Sequence, residues 1–345
     1  MRAEELSIRR FIGTILVFLA IFGVVMVVCP LIGSERISLS RALDKTIPRS
    51  ENPDAVIFFH TRLPRCLLAA IVGAALAAAG VTFQAMLKNP LATPYTLGLS
   101  GGCSLAAVLV ILFFGSLSIR FSYLQPLASF LGALATLGLV YRLGRSRGKA
   151  GSIHPVTLIL AGVTLNLLFG SIILLLQYIA DPAQTFFLLH WLMGNLDIAS
   201  YSPVLILVPF QVIGLFILVI HGRQMNLLSL DEMSARSLGL DVTRVTRRLY
   251  FASSLVAGTA ISFSGPIGFV GLIVPHAIRL VLGADHRLLL PSSLLAGGAF
   301  LVICDTLART VLAPTELPVG VITALLGGPF FLWLLRTRGK GGVIT

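Results

Sequence analysis

Charge is what this sequence has least of. Aspartate and glutamate number 14 and lysine and arginine 26 in 345 residues, 12% of the chain, where an average soluble chain carries about a quarter. With 56% hydrophobic residues and a mean hydropathy of +0.95, that shortage excludes an ordinary soluble domain. Residues 249–278 hold no charge at all. Cysteine is scarce too. Cys29, Cys66, Cys103 and Cys304 sit in or beside apolar runs with no CxxC, so they read as small core residues and not as a disulfide framework. His60, His154, His190, His221, His276 and His286 show no metal-ligand spacing. A usable phosphate loop is also missing. Its nearest lookalike, Gly144-Arg-Ser-Arg-Gly148-Lys149-Ala150, has too few residues between the glycines and Ala where Ser or Thr should meet magnesium. The chain is not expected to hydrolyse ATP.

What is there is apolar sequence, in runs of roughly the 20 residues that cross a hydrocarbon core. They recur at 11–32, 66–87, 97–114, 123–141, 154–177, 202–220, 249–265, 267–283, 288–308 and 318–335. The expected fold is an all-α polytopic membrane protein of about ten spans, in a single transmembrane domain over 1–345. The first run follows Arg9-Arg10 but is long for a signal peptide and lacks a small-x-small cleavage site, so it reads as a span. Spans seven and eight divide at Gly265-Pro266, where proline removes a helix hydrogen bond. With the N-terminus inside, most Lys and Arg fall in cytoplasmic loops, among them Arg142, Arg145, Arg147 and Lys149 and the tail at Arg336, Arg338 and Lys340. Both termini are then cytoplasmic. The net charge of +12 follows from that rule without nucleic acid.

Residues 221–248 break the apolar pattern. They read as two short surface helices too polar to cross a bilayer. Ser229 and Glu232 stand in capping-box spacing, Gly239 stops the first helix in a left-handed conformation, and Asp241 caps the second. Such a segment is offered to a partner in the adjacent compartment. Between spans two and three comes a second unusual stretch: Gly80-x-x-x-Gln84, then Asn89-Pro90-Leu91-Ala92-Thr93-Pro94, Leu97-Gly98 and Gly101-Gly102. Irregular backbone at membrane depth survives only inside protein or along a water-filled cavity; the residues alone fit a proline-punctuated turn equally well. On the preceding helix, Gly73/Ala77 and Ala74/Ala78 allow a neighbouring helix to approach closely.

These motifs, with Arg62-Leu-Pro-Arg65, the SARSLGLD text around Arg236, Gly265-Pro-Ile-Gly-Phe-Val-Gly271, Val274-Pro275-His276 and Glu316-Leu-Pro-x-Gly320, carry a resemblance. From about Arg62 to Lys340 the chain resembles the permease subunits of the iron-siderophore, haem and vitamin B12 family of ATP-binding-cassette importers. The resemblance implies an internal inverted repeat (spans 2–5 and 7–10) and a homodimer in the bacterial inner membrane passing a bulky metal chelate along its axis. It also implies an extracytoplasmic binding protein and two cytoplasmic ATPase subunits, which hold the ATP and magnesium; no cofactor falls to this chain. Residue by residue, Ser229, Glu232, Arg236, Gly239 and Asp241 would belong to coupling helices at 229–249. Gln84, Asn89, Pro90 and Leu91 would line the inner gate and pathway. A second gate element would precede span five, where this chain departs from the small hydroxyl residues of the B12 importer with His154-Pro155-Val156. Arg62, Arg65 and Arg309 would receive acidic side chains of the binding protein; from the residues alone they read as anchors reaching the headgroups. The rival reading is an ion-coupled secondary transporter. Its proton-coupled form suffers from the scarcity of acids within the spans, where Asp305 stands alone, while a carbonyl-lined sodium site would need none.

Overall fold

Each apolar run becomes a helix, as it must where no water can satisfy a backbone amide. The computed structural model describes residues 7–44, 46–48, 51–120, 123–145 and 154–338. Arg147, Lys149 and Lys340, and most of the phosphate-loop lookalike, lie outside these. In chain order the helices are α1 (Ile8–Val28), the short α2 (Leu39–Ala42) and α3 (Pro53–Val56), and α4 (Leu63–Leu87), entered through a π-helical turn at Ile57–Arg62. Then come α5 (Leu99–Arg120), α6 (Leu124–Gly144), α7 (Pro155–Ile179), α8 (Pro182–Leu192) and α9 (Ser202–Ile220). After α10 (Gly222–Leu228) and α11 (Glu232–Ser237) follow α12 (Val242–Ser264), α13 (Val270–Leu282), α14 (His286–Thr310) and α15 (Val319–Arg338). Helices stand at all ten expected positions, and among the described residues six helices are long and apolar enough to cross a membrane outright.

The core is built on α4, whose side chains are buried on nearly every face. Small residues make this possible. Gly73 meets the Gly297 backbone of α14, and Gly80 meets the Gly271 carbonyl of α13, so a Cβ at either place would overlap main chain. The close approach expected at Gly73/Ala77 is thus seen, with Gly297 seated against both residues. All four cysteines are buried and free.

The packing is symmetric under exchange of α4–α7 for α12–α15. Helix α4 packs on α13 and α14, and α12 correspondingly packs on α5 and α6. Helix α5 packs on α6 and α7, as α13 does on α14 and α15; α6 meets α7 as α14 meets α15. Four crossings return the chain to its starting side, and α9 adds one more. The second set therefore begins on the opposite side, and the repeat is inverted. In each half the second helix follows irregular backbone marked by left-handed residues: Lys88 (φ 49°) and Gly98 (φ 74°) in the first, Gly265 (φ 65°) and Phe269 (φ 67°) in the second.

Three expectations are corrected. Helix α12 runs unbroken for 23 residues from the polar surface into the core, so there is no separate second surface helix; its Arg-rich first turns and its apolar remainder are one rod. Helix α10 takes up residues 222–228, ahead of Ser229, where the cap of the first surface helix was expected. Helix α8 lies between the expected fifth and sixth spans. Asp181 starts it with a capping box, its carboxylate accepting from the Gln184 amide at 2.8 Å and the Gln184 side chain answering at 3.3 Å.

Candidate functional site

At one end of the bundle lie the 88–92 turn and the polar segment. Helix α4 ends in a Schellman arrangement: the Asn89 amide reaches back to the Gln84 carbonyl (3.2 Å) and the Lys88 amide to that of Ala85 (3.4 Å), with Lys88 in the left-handed position usually given to glycine. The Asn89 side chain then accepts from the Leu91 amide at 2.9 Å, which fixes the turn and presents Leu91, 49% exposed, at its tip. Pro90 is half-buried behind it. Gln84 is placed differently from the expectation that it lines a pathway. It is 3% exposed and held between the Gly271 carbonyl (3.3 Å) and Arg279 (3.1 Å), so it ties α4 to α13.

The polar segment keeps its expected outline but changes its caps. Asp231, not Ser229, caps α11, accepting from the Ser234 amide at 2.9 Å; hydrogen bonds from the Ser234 side chain and amide hold its carboxyl below the usual range. Ser229 ends α10, its hydroxyl donating to the Met225 carbonyl at 3.1 Å. Glu232 pairs instead with Arg236 one turn on, at 2.7 Å. Gly239 is left-handed (φ 83°) and closes α11 with a second Schellman arrangement, in which the Leu240 amide reaches the Ala235 carbonyl (3.1 Å). Asp241 caps α12 at the Arg244 amide (2.9 Å). Leu230, Met233 and Leu238 stand exposed on this otherwise polar surface.

Two ties join the segment to the bundle. The Lys88 ammonium donates to the Leu230 carbonyl, beside a cavity of about 150 Å³ that Pro155 and Leu158 of α7 also line. Asn226 of α10 donates to Asp285 at 2.7 Å and accepts from the His286 amide at 2.8 Å, which pins α10 to the start of α14. Burial pushes the Asp285 pKa up, but hydrogen bonds from Arg287 and Asn226, with the Arg287 charge, outweigh it and hold the group at about 2.

The opposite end holds the three arginines, and they are not surface charges. Arg62, Arg65 and Arg309 are each 4% exposed. Arg62 donates to the carbonyls of Pro30 (3.3 Å), Leu31 (3.1 Å) and Glu35. Asp305, fully buried, sits between Arg65 (3.0 Å) and Arg309 (3.2 Å). Arg65 also reaches Glu316 at 2.6 Å and Asp197 at 3.7 Å, from the loops before α15 and α9. The expectation of exposed docking arginines, or of headgroup anchors, is therefore replaced by burial, with Arg65 and Arg309 in an ion cluster around Asp305 and Arg62 among main-chain carbonyls. Asp305 and Arg309 stand one helical turn apart, but Arg65 finds its acids far away in sequence, beyond the reach of spacing arguments. Nearby, the motif glycines have a packing reason: a Cβ on Gly265 would overlap the Trp191 carbonyl, and one on Gly320 the Met193 carbonyl. The backbone before α13 and the start of α15 are thereby seated under the end of α8.

Residues grouped on one side by the ten-span reading meet in space at each end, Lys88 with Leu230 and Asn226 with Asp285 at one, Arg65 with Asp305 and Glu316 at the other. The chain's likeness to known proteins runs over the same length. The profile of the FecCD transport family matches residues 17–337. The hemin transport system permease protein HmuU of Yersinia pestis is 40% identical over 338 residues, 96% of each chain. The cobalamin import system permease protein BtuC of Halobacterium salinarum is 44% identical over 283 residues, 82% of this chain and 74% of the relative. Among solved structures, an inward-facing conformation of a transporter assigned to the metal-chelate ABC type matches with a TM-score of 0.81 at 32% identity, covering 94% of this chain and 99% of that one.

Proposed function

The chain belongs to the FecCD transport family, and from that premise we propose how its two ends serve transport. It is the permease subunit of an ATP-binding-cassette importer for a bulky metal chelate. Within that class the cargo is haem, a cobalamin or a ferric siderophore, and two copies of the chain enclose the pathway. Both termini face the cytoplasm of a bacterial cell. The end bearing the 88–92 turn and the 229–241 segment is then the cytoplasmic one.

A separate ATPase subunit binds ATP and magnesium and docks on α11 and the first turns of α12, where Glu232, Arg236, Gly239 and Asp241 set the shape of the contact. Asn89, Pro90 and Leu91 close the inner end of the pathway, against their counterparts in the second copy. A binding protein delivers cargo at the other end, onto loops that the buried arginine cluster holds in place. Proton coupling, one form of the rival mechanism, needs a carboxylate free to load and release a proton. Asp305 is instead clamped between two guanidinium groups, a poor proton carrier.

One observation supports the motor contact above the rest. Met233 is 83% exposed and Leu238 61%, apolar tips on a polar helix pair, the composition of a surface that a soluble partner covers. The test is co-purification with the partner ABC ATPase. Met233→Glu is expected to weaken association while the permease remains folded and monodisperse. An ATPase that binds and is stimulated equally by both forms would overturn this assignment of the contact.

A further inference from the structure

The helix that ends at the gate turn has an unusual residue at its stop. Among the described residues, Lys88 and Phe269 are the non-glycine positions with positive φ. A β-carbon in the left-handed region crowds its own carbonyl, which is why glycine dominates such stops. At Gly239 the same arrangement does use glycine. Lysine at position 88 therefore carries a conformational cost that a glycine there would avoid, and its side chain is the part that glycine lacks.

That side chain spans a gap. Its ammonium donates to the Leu230 carbonyl, the residue immediately before the Asp231 cap of α11. Beneath the bond is the cavity of about 150 Å³, lined by Leu87, Leu228, Glu232 and Ala235 among others, so apolar packing between the gate turn and the polar segment is incomplete there. The bond joins two rigid pieces. On one side Lys88 is continuous with the Asn89 side-chain turn that presents Leu91. On the other, Leu230 is continuous with α11 and its Glu232–Arg236 pair.

We propose that Lys88 is a positioning residue for transport: the strut through which displacement of the 229–241 segment reaches the 88–92 turn. This rests on the proposed roles of that segment as the motor contact and of that turn as the gate. The strut acts on coupling. It touches neither cargo nor nucleotide, so its loss leaves the motor attached and turning over while less cargo moves per ATP.

The experiment uses the full complex of permease, ATPase and binding protein in proteoliposomes, with whichever of hemin, cyanocobalamin or a ferric hydroxamate the parent complex takes up. Lys88→Gly removes the side chain and relieves the backbone. Lys88→Met keeps length and strain but not the donor, and Lys88→Arg restores a donor. A charged donor's hydrogen bond is of the size that shifts an equilibrium about tenfold, so uptake per ATP hydrolysed is expected to fall about three- to tenfold in the Gly and Met forms. ATPase association should stay unchanged, Lys88→Gly should match or exceed the parent in thermal stability, and Lys88→Arg should recover uptake. Gly and Met variants that transport with the parent's stoichiometry would overturn the strut alone. A parent permease that neither binds the ATPase nor shows ATP-dependent uptake would overturn the underlying assignment, and the strut with it.

Discussion

Replacing Asp305 with asparagine changes one oxygen for a nitrogen and almost no volume, yet it should be among the most destabilising single changes in the chain. The carboxylate is fully buried and accepts from Arg65 through both oxygens, at 3.0 and 3.2 Å, and from Arg309 at 3.2 Å. In the variant Arg65 keeps Glu316 at 2.6 Å. Arg309 keeps the Ile32 carbonyl at 3.3 Å and the Thr306 hydroxyl at 3.2 Å, but no carboxylate. Leaving a buried charge without its counter-ion costs about 3–5 kcal/mol. Arg309→Met should cost less, about 1–3 kcal/mol, because Asp305 stays paired with Arg65. Combining the two should cost less than their sum, since no orphaned guanidinium remains at position 309. Cys29, Cys66, Cys103 and Cys304 are free and buried, so a thiol-reactive fluorophore reports unfolding directly in detergent. Asp305→Asn should lower the melting temperature by about 5–10 °C. A shift below about 1 °C would refute the reasoning, because a partner worth that little cannot be neutralising a buried charge.

Four further outcomes are expected. Gly239→Val forces a β-branched residue to φ 83°, a cost of about 1–2 kcal/mol or more, and should weaken ATPase association while the helices outside the segment keep their stability; unchanged binding and uptake would contradict it. Gly80→Ala drives a methyl group into the Gly271 carbonyl and should cost about 1–3 kcal/mol in thermal unfolding. Leu91→Cys should form a cross-link between two copies that varies with nucleotide, and a dimer with no cross-link in any state would remove this turn from the gate. Asp285 sits at about 2 against an ordinary 3.8. Its contribution to stability is therefore present above about pH 4 and lost as pH falls towards 2. Asp285→Asn should flatten stability over that interval and leave it unchanged in slope above it.

Sequence and structure agree best where the physics is local or one-dimensional. Apolar runs had to become helices, and the helix break at Gly265-Pro266 was readable because a charge-free stretch longer than one span must fold back. Gly239 and Asp241 were readable because a helix stop and a helix cap are set by one residue and its immediate neighbours. Two capable residues stand two apart at the start of α11; Asp231 caps it because Ser229 is taken up by the end of α10. Helix α8 carries its signal in the Asp181 and Gln184 capping box, which has no long apolar run behind it to mark a span. What no spacing could reveal was where polar groups within the bundle find partners. Arg65 meets Asp305 across 240 residues and Gln84 meets Gly271 across 187. A single sequence displays charge and amide but not who neutralises them, so Arg65 reads as a docking or anchoring group and Gln84 as part of the pathway.

The central claim, an ATP-driven importer in which this chain is the passive conduit, is tested most directly by uptake into vesicles. Purified permease is reconstituted with its ATPase and binding protein, and labelled hemin, cyanocobalamin and ferric hydroxamate are followed separately. Accumulation of one of the three that requires ATP and the binding protein, and survives collapse of proton and sodium gradients, is the predicted result. Uptake by the permease alone that follows an ion gradient and ignores ATP would contradict it.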